Sequence, residues 1–415
     1  MMKRLNNAGP VLKDNKRAVN GSGHQASIFL KKPRGANQME KIISRRSFVG
    51  AGPTVAAGLM TSCLAPSVRG LQPPTRKIRI GQIGTRHPHA AGKLAAIRGL
   101  DAIFELVGVV ETDAERREAV SGSEVYRNVP WMSKNDLLNS NVDAIAVETQ
   151  VSQLVPTAMQ CLTAGKHIHL DKPAGMSMPA CRAMHRQADQ RGLTVQMGYM
   201  LRYNPAFVLL FDIVQKGWLG RITEVTAEMG KWANDTLRQE LSEFSGGGMF
   251  ELACHVIDAM VTILGRPDQI TAHNRSSYPN KDNFLDNQLA VFDYPNAIAT
   301  VRCNHVDPFG FPRRHFHVVG EQGAFEINPL EPPKVRIAFD RPRGHFKKGF
   351  QQVEVPSSGG RYDAEFEDLA HVIQGKKKLA WNSQHDLTVQ ESVLLASGME
   401  VSPMLSPTKP AKDQK

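Results

Sequence analysis

Three residues have the types and positions suited to proton chemistry: Lys172, Glu251 and His255. Lys172 closes the segment A-G-K-H-I-H-L-D-K-P over 164–173, in which a short β-type run, 166–170, ends in an acid, a lysine and a proline. A parallel strand delivers a charged side chain in this way to the carboxyl edge of its sheet, where ligands bind. Pro173 cannot continue a ladder and biases Lys172 toward extended backbone, so the direction of the lysine is set. A solvated strand-end lysine is the plain alternative. Glu251 and His255 lie four apart, on one face of a helix expected over 249–264, with Asp258 three residues beyond His255. Imidazole can take a hydroxyl proton near neutral pH, and a carboxylate beside it can orient it or bind substrate hydroxyls. Gly246, Gly247 and Gly248 at the helix mouth would let a substrate come close. An ordinary surface Glu/His pair is the alternative here.

Lys172 must be positioned by a sheet. The sequence predicts strands over 77–83, 104–110, 142–147, 166–170 and 193–198, with helices over 88–97, 155–164 and 179–191. Strand and helix in alternation imply parallel pairing through right-handed crossovers, and 142–147 is taken as the fourth strand of a doubly wound sheet. The first turn, Gly84-Thr85-Arg86-His87-Pro88-His89, stands in the place of G-x-G-x-x-G, whose glycines let a pyrophosphate approach a helix N-terminus. Only the first glycine is present. Arg86 replaces the second and could contact phosphate through its guanidinium, while His87 precedes a proline suited to the first helical position. Glu111 ends the second strand 27 residues beyond Gly84, where an acid takes ribose hydroxyls and repels a 2′-phosphate. That favours NAD over NADP, although Arg116 and Arg117 close behind could reverse it. Thr149 leads from the 142–147 strand into the next helix.

From Tyr199 the pattern changes to longer strands in α+β order. Arg202 and Tyr203 lie just past the junction, where polar anchors facing an interdomain cleft are expected. Strands over 269–276, 288–292, 297–305, 315–320 and 324–327 read as an open antiparallel sheet, followed by helices over 362–373 and 388–399. His305, His315 and His317 on those strands could face substrate or solvent and have no trusted metal-ligand spacing. The fold class is therefore α/β: an N-terminal Rossmann domain over 77–198, then an α+β domain over 199–402 with a mainly antiparallel sheet.

The chain has 415 residues and a net charge of +11. Residues 1–46 hold eleven of the 51 basic residues and two of the 40 acids, so the remainder carries only +2. Without a clustered basic face, nucleic acid is rejected as a partner. Cys63, Cys161, Cys181, Cys254 and Cys303 are scattered and lack metal or disulfide spacing. Ser44-Arg45-Arg46-Ser47-Phe48-Val49 ahead of a Gly- and Ala-rich apolar run to Met60 has the twin-arginine export pattern, within a signal over 44–65. The run is too short to span a membrane. Met39 is the expected true start, and 1–43 reads as a disordered or misassigned leader. A weak lipobox at Met60–Cys63 allows a lipid anchor, a cleavage after Ala65 allows release, and a linker 66–76 follows. The product would be periplasmic or membrane-anchored, and 403–415 reads as a polar tail.

Together these elements resemble the Gfo/Idh/MocA oxidoreductases, the glucose-fructose oxidoreductase and inositol dehydrogenase family. The likeness covers 77 to about 400. It rests on A-G-K-H-I-H-L-D-K-P against the family's AGKHV-x-x-EKP, and on G-G-G-M-F-E-L-A-C-H-V-I-D against GGG-x-x-x-D-x-x-x-H-x-x-D. M-G-Y-M-L-R-Y-N-P matches the start of the family's second domain. The resemblance implies NAD or NADP, a sugar or polyol substrate, and a homo-oligomer formed through the C-terminal sheet. It implies cofactor contacts at Gly84, Thr85, Arg86, His87, Glu111, Thr149, Asp171 and Lys172, and substrate contacts at Arg202, Tyr203, Glu251 and Asp258. It further implies that His255 takes the alcohol proton while hydride passes to nicotinamide, that Lys172 polarises the reacting oxygen, and that Glu251 holds a neighbouring hydroxyl. Asp171 for Glu, Glu251 for Asp, and Gln150 and Leu154 for Pro and His depart from the family pattern. An NAD-dependent glycosidase on the same scaffold and a noncatalytic sugar-binding protein are the alternative readings.

Overall fold

The computed structural model describes residues 76–356 and 359–401. The leader, the twin-arginine signal, the Met39 start, the Cys63 anchor and the polar tail lie outside these residues. Among the described residues no helix is long and apolar enough to cross a membrane.

Five strands form the first sheet: β1 (Ile78–Ile83), β2 (Phe104–Val110), β3 (Ala144–Val147), β4 (His167–Leu170) and β5 (Val195–Met197). They run in the order β2-β1-β3-β4-β5 and every pairing is parallel. β3 is a run of four buried apolar residues, A-I-A-V, as befits a strand covered on both faces. The order reverses between β2-β1 and β3, which puts a crevice at the carboxyl ends of β1 and β3. The segment expected as a fourth strand is thus the third. Between β2 and β3 the chain forms short helices at Ala114–Ser121 and Lys134–Asn139, and only Trp131 bridges to β2.

The second sheet has eight strands: β6 (Ile222–Gly230), β7 (Gln269–Arg275), β8 (Asn287–Asp293), β9 (Ile298–Asn304), β10 (His315–Gly320), β11 (Gly323–Leu330), β12 (Pro333–Phe339) and β13 (Gly349–Val353). Their order is β13-β12-β11-β10-β6-β9-β8-β7, antiparallel except where β6 runs parallel to β9. β8 shows the alternation of a half-buried strand, with Gln288, Ala290 and Phe292 inward. The inward face packs on the helices Cys254–Leu264 and Ser383–Ala396. One hydrophobic core runs through both sheets, from Ile80 and Ile145 to Val256, Phe292 and Val393.

The helix expected over 249–264 is two helices, Gly247–Glu251 and Cys254–Leu264. Glu251 and His255 therefore do not share one helical face.

Candidate active site

β4 is buried through Leu170 and delivers Asp171 and Lys172 beyond the sheet edge. Lys172, 1% exposed, turns toward the helix break. Its Nζ donates to the main-chain carbonyl of Glu251 at 2.6 Å and lies 3.3 Å from the Glu251 carboxylate. The Cys254 thiol approaches the same carbonyl at 3.3 Å. A side chain that takes a carbonyl out of the helical ladder interrupts the helix. The lysine thus explains why the first helix stops at Glu251.

The other Glu251 oxygen lies 3.2 Å from Lys231 Nζ. Burial pushes the Glu251 carboxyl up, but Lys172 and Lys231 outweigh it and hold it well below its ordinary value. Burial likewise draws the Lys172 ammonium down, and Glu251 overcomes this, leaving it raised. His255 has no such partner. Burial first, then the Lys172 charge, hold its pKa well below the ordinary 6.5, so its imidazole is neutral. Its Nδ1 is buried and has no hydrogen-bond partner. The rings of His89 and Tyr199 each lie 6.1 Å from it. The site therefore combines an ammonium held charged with an imidazole held neutral.

Beside it lies the crevice at β1 and β3. A cavity of about 310 Å3 is lined by Gly84, Arg86, Glu111, Lys134, Thr149 and Gln150 among others. Gly84 has φ +95°, and a Cβ there would stand 2.7 Å from the Glu148 carbonyl. This position accepts only glycine, as the first place of a dinucleotide fingerprint requires. Arg86 pairs with Asp113 at the cavity rim, and Lys134 adds a second cation to the lining. Concavity, a close-approach glycine and two cations fit a nucleotide diphosphate. The Glu111 carboxylate caps the turn itself, accepting from Thr85 N at 3.1 Å, Thr85 Oγ1 at 2.7 Å and Asp113 N at 3.1 Å. Arg116 donates to the Thr85 carbonyl at 2.7 Å, and Arg117 stacks over Trp131, so neither points a free guanidinium into the crevice. Thr85 and His87 are buried behind the turn.

Under the turn runs an ionic network absent from the sequence reading. Asp171 is fully buried, 2.9 Å from both His87 Nδ1 and Lys93 Nζ and 3.2 Å from His89 Nδ1. It also accepts the Lys172 N–H at 2.7 Å, so it organises the loop that aims the lysine. Burial pushes the Asp171 carboxyl up, but His87, Lys93 and His89 outweigh it and hold it well below normal. Lys93 also approaches Glu148 at 3.6 Å and Glu365 at 3.5 Å, and donates to His169 Nε2 at 2.7 Å. Two signals were present in the sequence. Glu148 ends an apolar strand just as Lys172 ends its own, and Lys93 shares the buried stripe of Ala90, Leu94 and Ile97.

Arg202 and Asp258, expected as substrate contacts, are instead buried against each other. Arg202, 1% exposed, binds Asp258 through two nitrogens at 2.7 to 3.2 Å and Asp386 at 2.6 Å. Both acids are spent on one buried guanidinium, a pillar between the helices Cys254–Leu264 and Ser383–Ala396. Tyr203 donates to Asp368 at 2.9 Å and accepts from Gln196 at 2.9 Å. One turn beyond Asp386, the Gln390 amide accepts from Ala174 N at 3.2 Å and donates to the Gly175 carbonyl at 2.6 Å. The last helix therefore holds both the His255 helix and the Lys172 loop. His305 is buried near Glu251, while His315 and His317 stack at 4.6 Å on the other face of the sheet.

Residues 78–199 match the family described as "Oxidoreductase family, NAD-binding Rossmann fold", and residues 207–326 match the GFO/IDH/MocA C-terminal domain. The oxidoreductase YhhX of Escherichia coli (strain K12) is 27% identical over 207 residues, covering 48% of this chain and 58% of that one. Trans-1,2-dihydrobenzene-1,2-diol dehydrogenase of Bos taurus is 28% identical over 193 residues, covering 43% and 57%. The chain thus spans little more than half the length of these relatives. Among solved structures, the WlbA dehydrogenase from Bordetella pertussis in complex with NADH and UDP-GlcNAcA is similar at a TM-score of 0.65 and 17% identity, over 78% of this chain and 96% of that one. UDP-N-acetylglucosamine 3-dehydrogenase GnnA from Acidithiobacillus ferrooxidans gives 0.64 and 21%, over 78% and 97%. At such identities the likeness is one of fold. With an NAD-binding Rossmann domain followed by the matching C-terminal domain, the chain belongs to the Gfo/Idh/MocA family of NAD(P)-dependent oxidoreductases.

Proposed function

We propose that this protein is a dehydrogenase that oxidises a secondary alcohol of a sugar or polyol. The observation that carries the reading is the pairing of a charged Lys172 with a neutral His255 whose Nδ1 is unpartnered. Bound NAD(P) would supply the hydride acceptor, held by Gly84, Arg86, Lys134 and Thr149. His255 accepts the hydroxyl proton on its free ring nitrogen. Lys172 stabilises negative charge developing on that oxygen, and needs no proton transfer to do so. Glu251 keeps Lys172 charged and offers its carboxylate to a neighbouring hydroxyl.

The acids at the crevice favour NAD. Glu111 and Asp113 both line it, while Arg116 and Arg117 are engaged elsewhere. A 2′-phosphate would meet two carboxylates. Export of the folded, cofactor-loaded protein through the twin-arginine route, in free or lipid-anchored form, belongs to the same reading and rests on Ser44–Val49. Self-association through the open sheet is supported by the exposed Ile298, Val319 and Phe350.

The test is titration of the purified protein with NAD+ and NADP+, followed by a panel of sugars and polyols. Net formation of reduced cofactor with at least one of them is expected. Binding of neither dinucleotide would sink the reading, and so would aglycone release from glycosides without net reduction.

A further inference from the structure

The loop edge of the first sheet also assembles a donor set that the proposed proton and hydride chemistry does not use. One ligand atom from each of His87, His89 and Asp171 lies within 4.8 Å of the others. His87 Nδ1 is 2.9 Å from Asp171 Oδ2 and 3.8 Å from Glu148 Oε2, and His89 Nδ1 is 3.2 Å from both Asp171 oxygens. Donors on tetrahedral bonds of roughly 2.0 to 2.1 Å stand about 3.3 Å apart, and the three residues His87, His89 and Asp171 come within reach of that spacing.

Two further observations bear on a cation. His87 Nε2 lies 2.9 Å from the Lys172 carbonyl, which places a proton on that nitrogen and turns the Nδ1 lone pair toward a carboxylate oxygen. This hydrogen bond is also the outer contact that orients a metal-bound imidazole. The Glu148 side chain is fully buried, faces the same ring, and neither of its oxygens has a hydrogen-bond partner.

We propose that His87, His89 and Asp171, with the Glu148 carboxyl beside them, bind one divalent transition-metal ion of the zinc class. Two imidazoles with two carboxylates suit zinc and its neighbours rather than calcium or magnesium. The His89 ring lies 6.1 Å from that of His255, so one ligand of the ion would neighbour the proposed base. The assignment rests on these distances and is independent of the dehydrogenase reading.

The folded protein, stripped with EDTA, is titrated with Zn2+ against a chromophoric chelator, and bound metal is counted by mass spectrometry. One zinc per chain is expected, with affinity reduced at least about 100-fold in His89→Ala. The double variant His315→Ala/His317→Ala should bind as wild type does. If His89→Ala does not fold by circular dichroism, His89→Gln serves in the same comparison. The proposal is overturned if the wild type takes up no stoichiometric zinc, if the His89 variant binds equally well, or if the His315/His317 variant loses the metal. Dinucleotide titration of the same samples keeps the two readings apart, since NAD+ binding without zinc uptake overturns the metal site alone.

Discussion

Lys172 reaches 79 residues along the chain to donate its ammonium to the backbone carbonyl of Glu251 at 2.6 Å. One lysine thereby ends a helix, pairs with its last side chain, and lies at the candidate active site. Its charge and its position have the same cause.

Lys172→Ala should abolish most turnover while leaving the fold intact, because Lys231 still pairs with Glu251 at 3.2 Å. A fall of roughly 100- to 1000-fold in kcat is expected from loss of one charge-stabilising donor. Steady-state kinetics beside circular dichroism checks this, and unchanged kcat removes the lysine from the mechanism.

Glu251→Gln should move the alkaline limb of activity. Burial alone draws the Lys172 ammonium down, and Glu251 is the main group that offsets it. With a neutral amide in that place the lysine loses its proton at lower pH. The profile of kcat/KM should decline at lower pH than in wild type. A coincident alkaline limb in both proteins would contradict the role given to Glu251.

The buried histidines should make the protein acid-sensitive. Burial, then Lys231, holds His305 at about 3, and His255 also lies well below 6.5. An unfolded histidine titrates near 6.5, so between the two values the unfolded chain binds protons that the folded chain does not. Stability contributed by these groups is therefore full above about pH 6.5 and falls as pH drops, by up to about 1.4 kcal/mol per unit for each. Urea midpoints should be lower at about pH 5 than at about pH 7.5, with a shallower slope in His305→Gln. An equal or higher midpoint in acid would refute this.

NAD+ should bind at least about tenfold more tightly than NADP+, the equivalent of about 1.4 kcal/mol. Competition titration at the crevice measures the ratio. Equal affinities would show that Arg116 or Arg117 leaves its partner to meet the 2′-phosphate.

Gly84→Ala should cost about 1–3 kcal/mol, since φ is +95° and the added Cβ would meet the Glu148 carbonyl and Thr149 Cα at 2.7 Å. A denaturation midpoint equal to wild type would show that the turn can yield.

Much of the fold was legible because its signals are local. β2 is a half-buried run closed by an acid, and its limits in the structure are those read from sequence. β6 was passed over although Val225, Ala227 and Met229 alternate inward, a period-2 signal diluted by Thr and Glu between them. The helix break at Leu252 was illegible because its cause, Lys172, lies in a loop 79 residues away in sequence. Arg202 was misplaced for the same reason, its partners standing 56 and 184 residues away. Charged residues near a junction look alike in sequence whether they face a cleft or neutralise one another inside. Lys93 is the instructive case, a cation on an apolar helical stripe that only a buried acid cluster can explain.

Asp386 and Gln390 stand one turn apart on the helix that clamps both the His255 helix, through Arg202, and the loop after Lys172. During synthesis the ribosome releases that helix only after every other element of the two sheets has emerged. A nascent chain short of residue 390 would lack the clamp that sets the His255 helix and the Lys172 loop against each other.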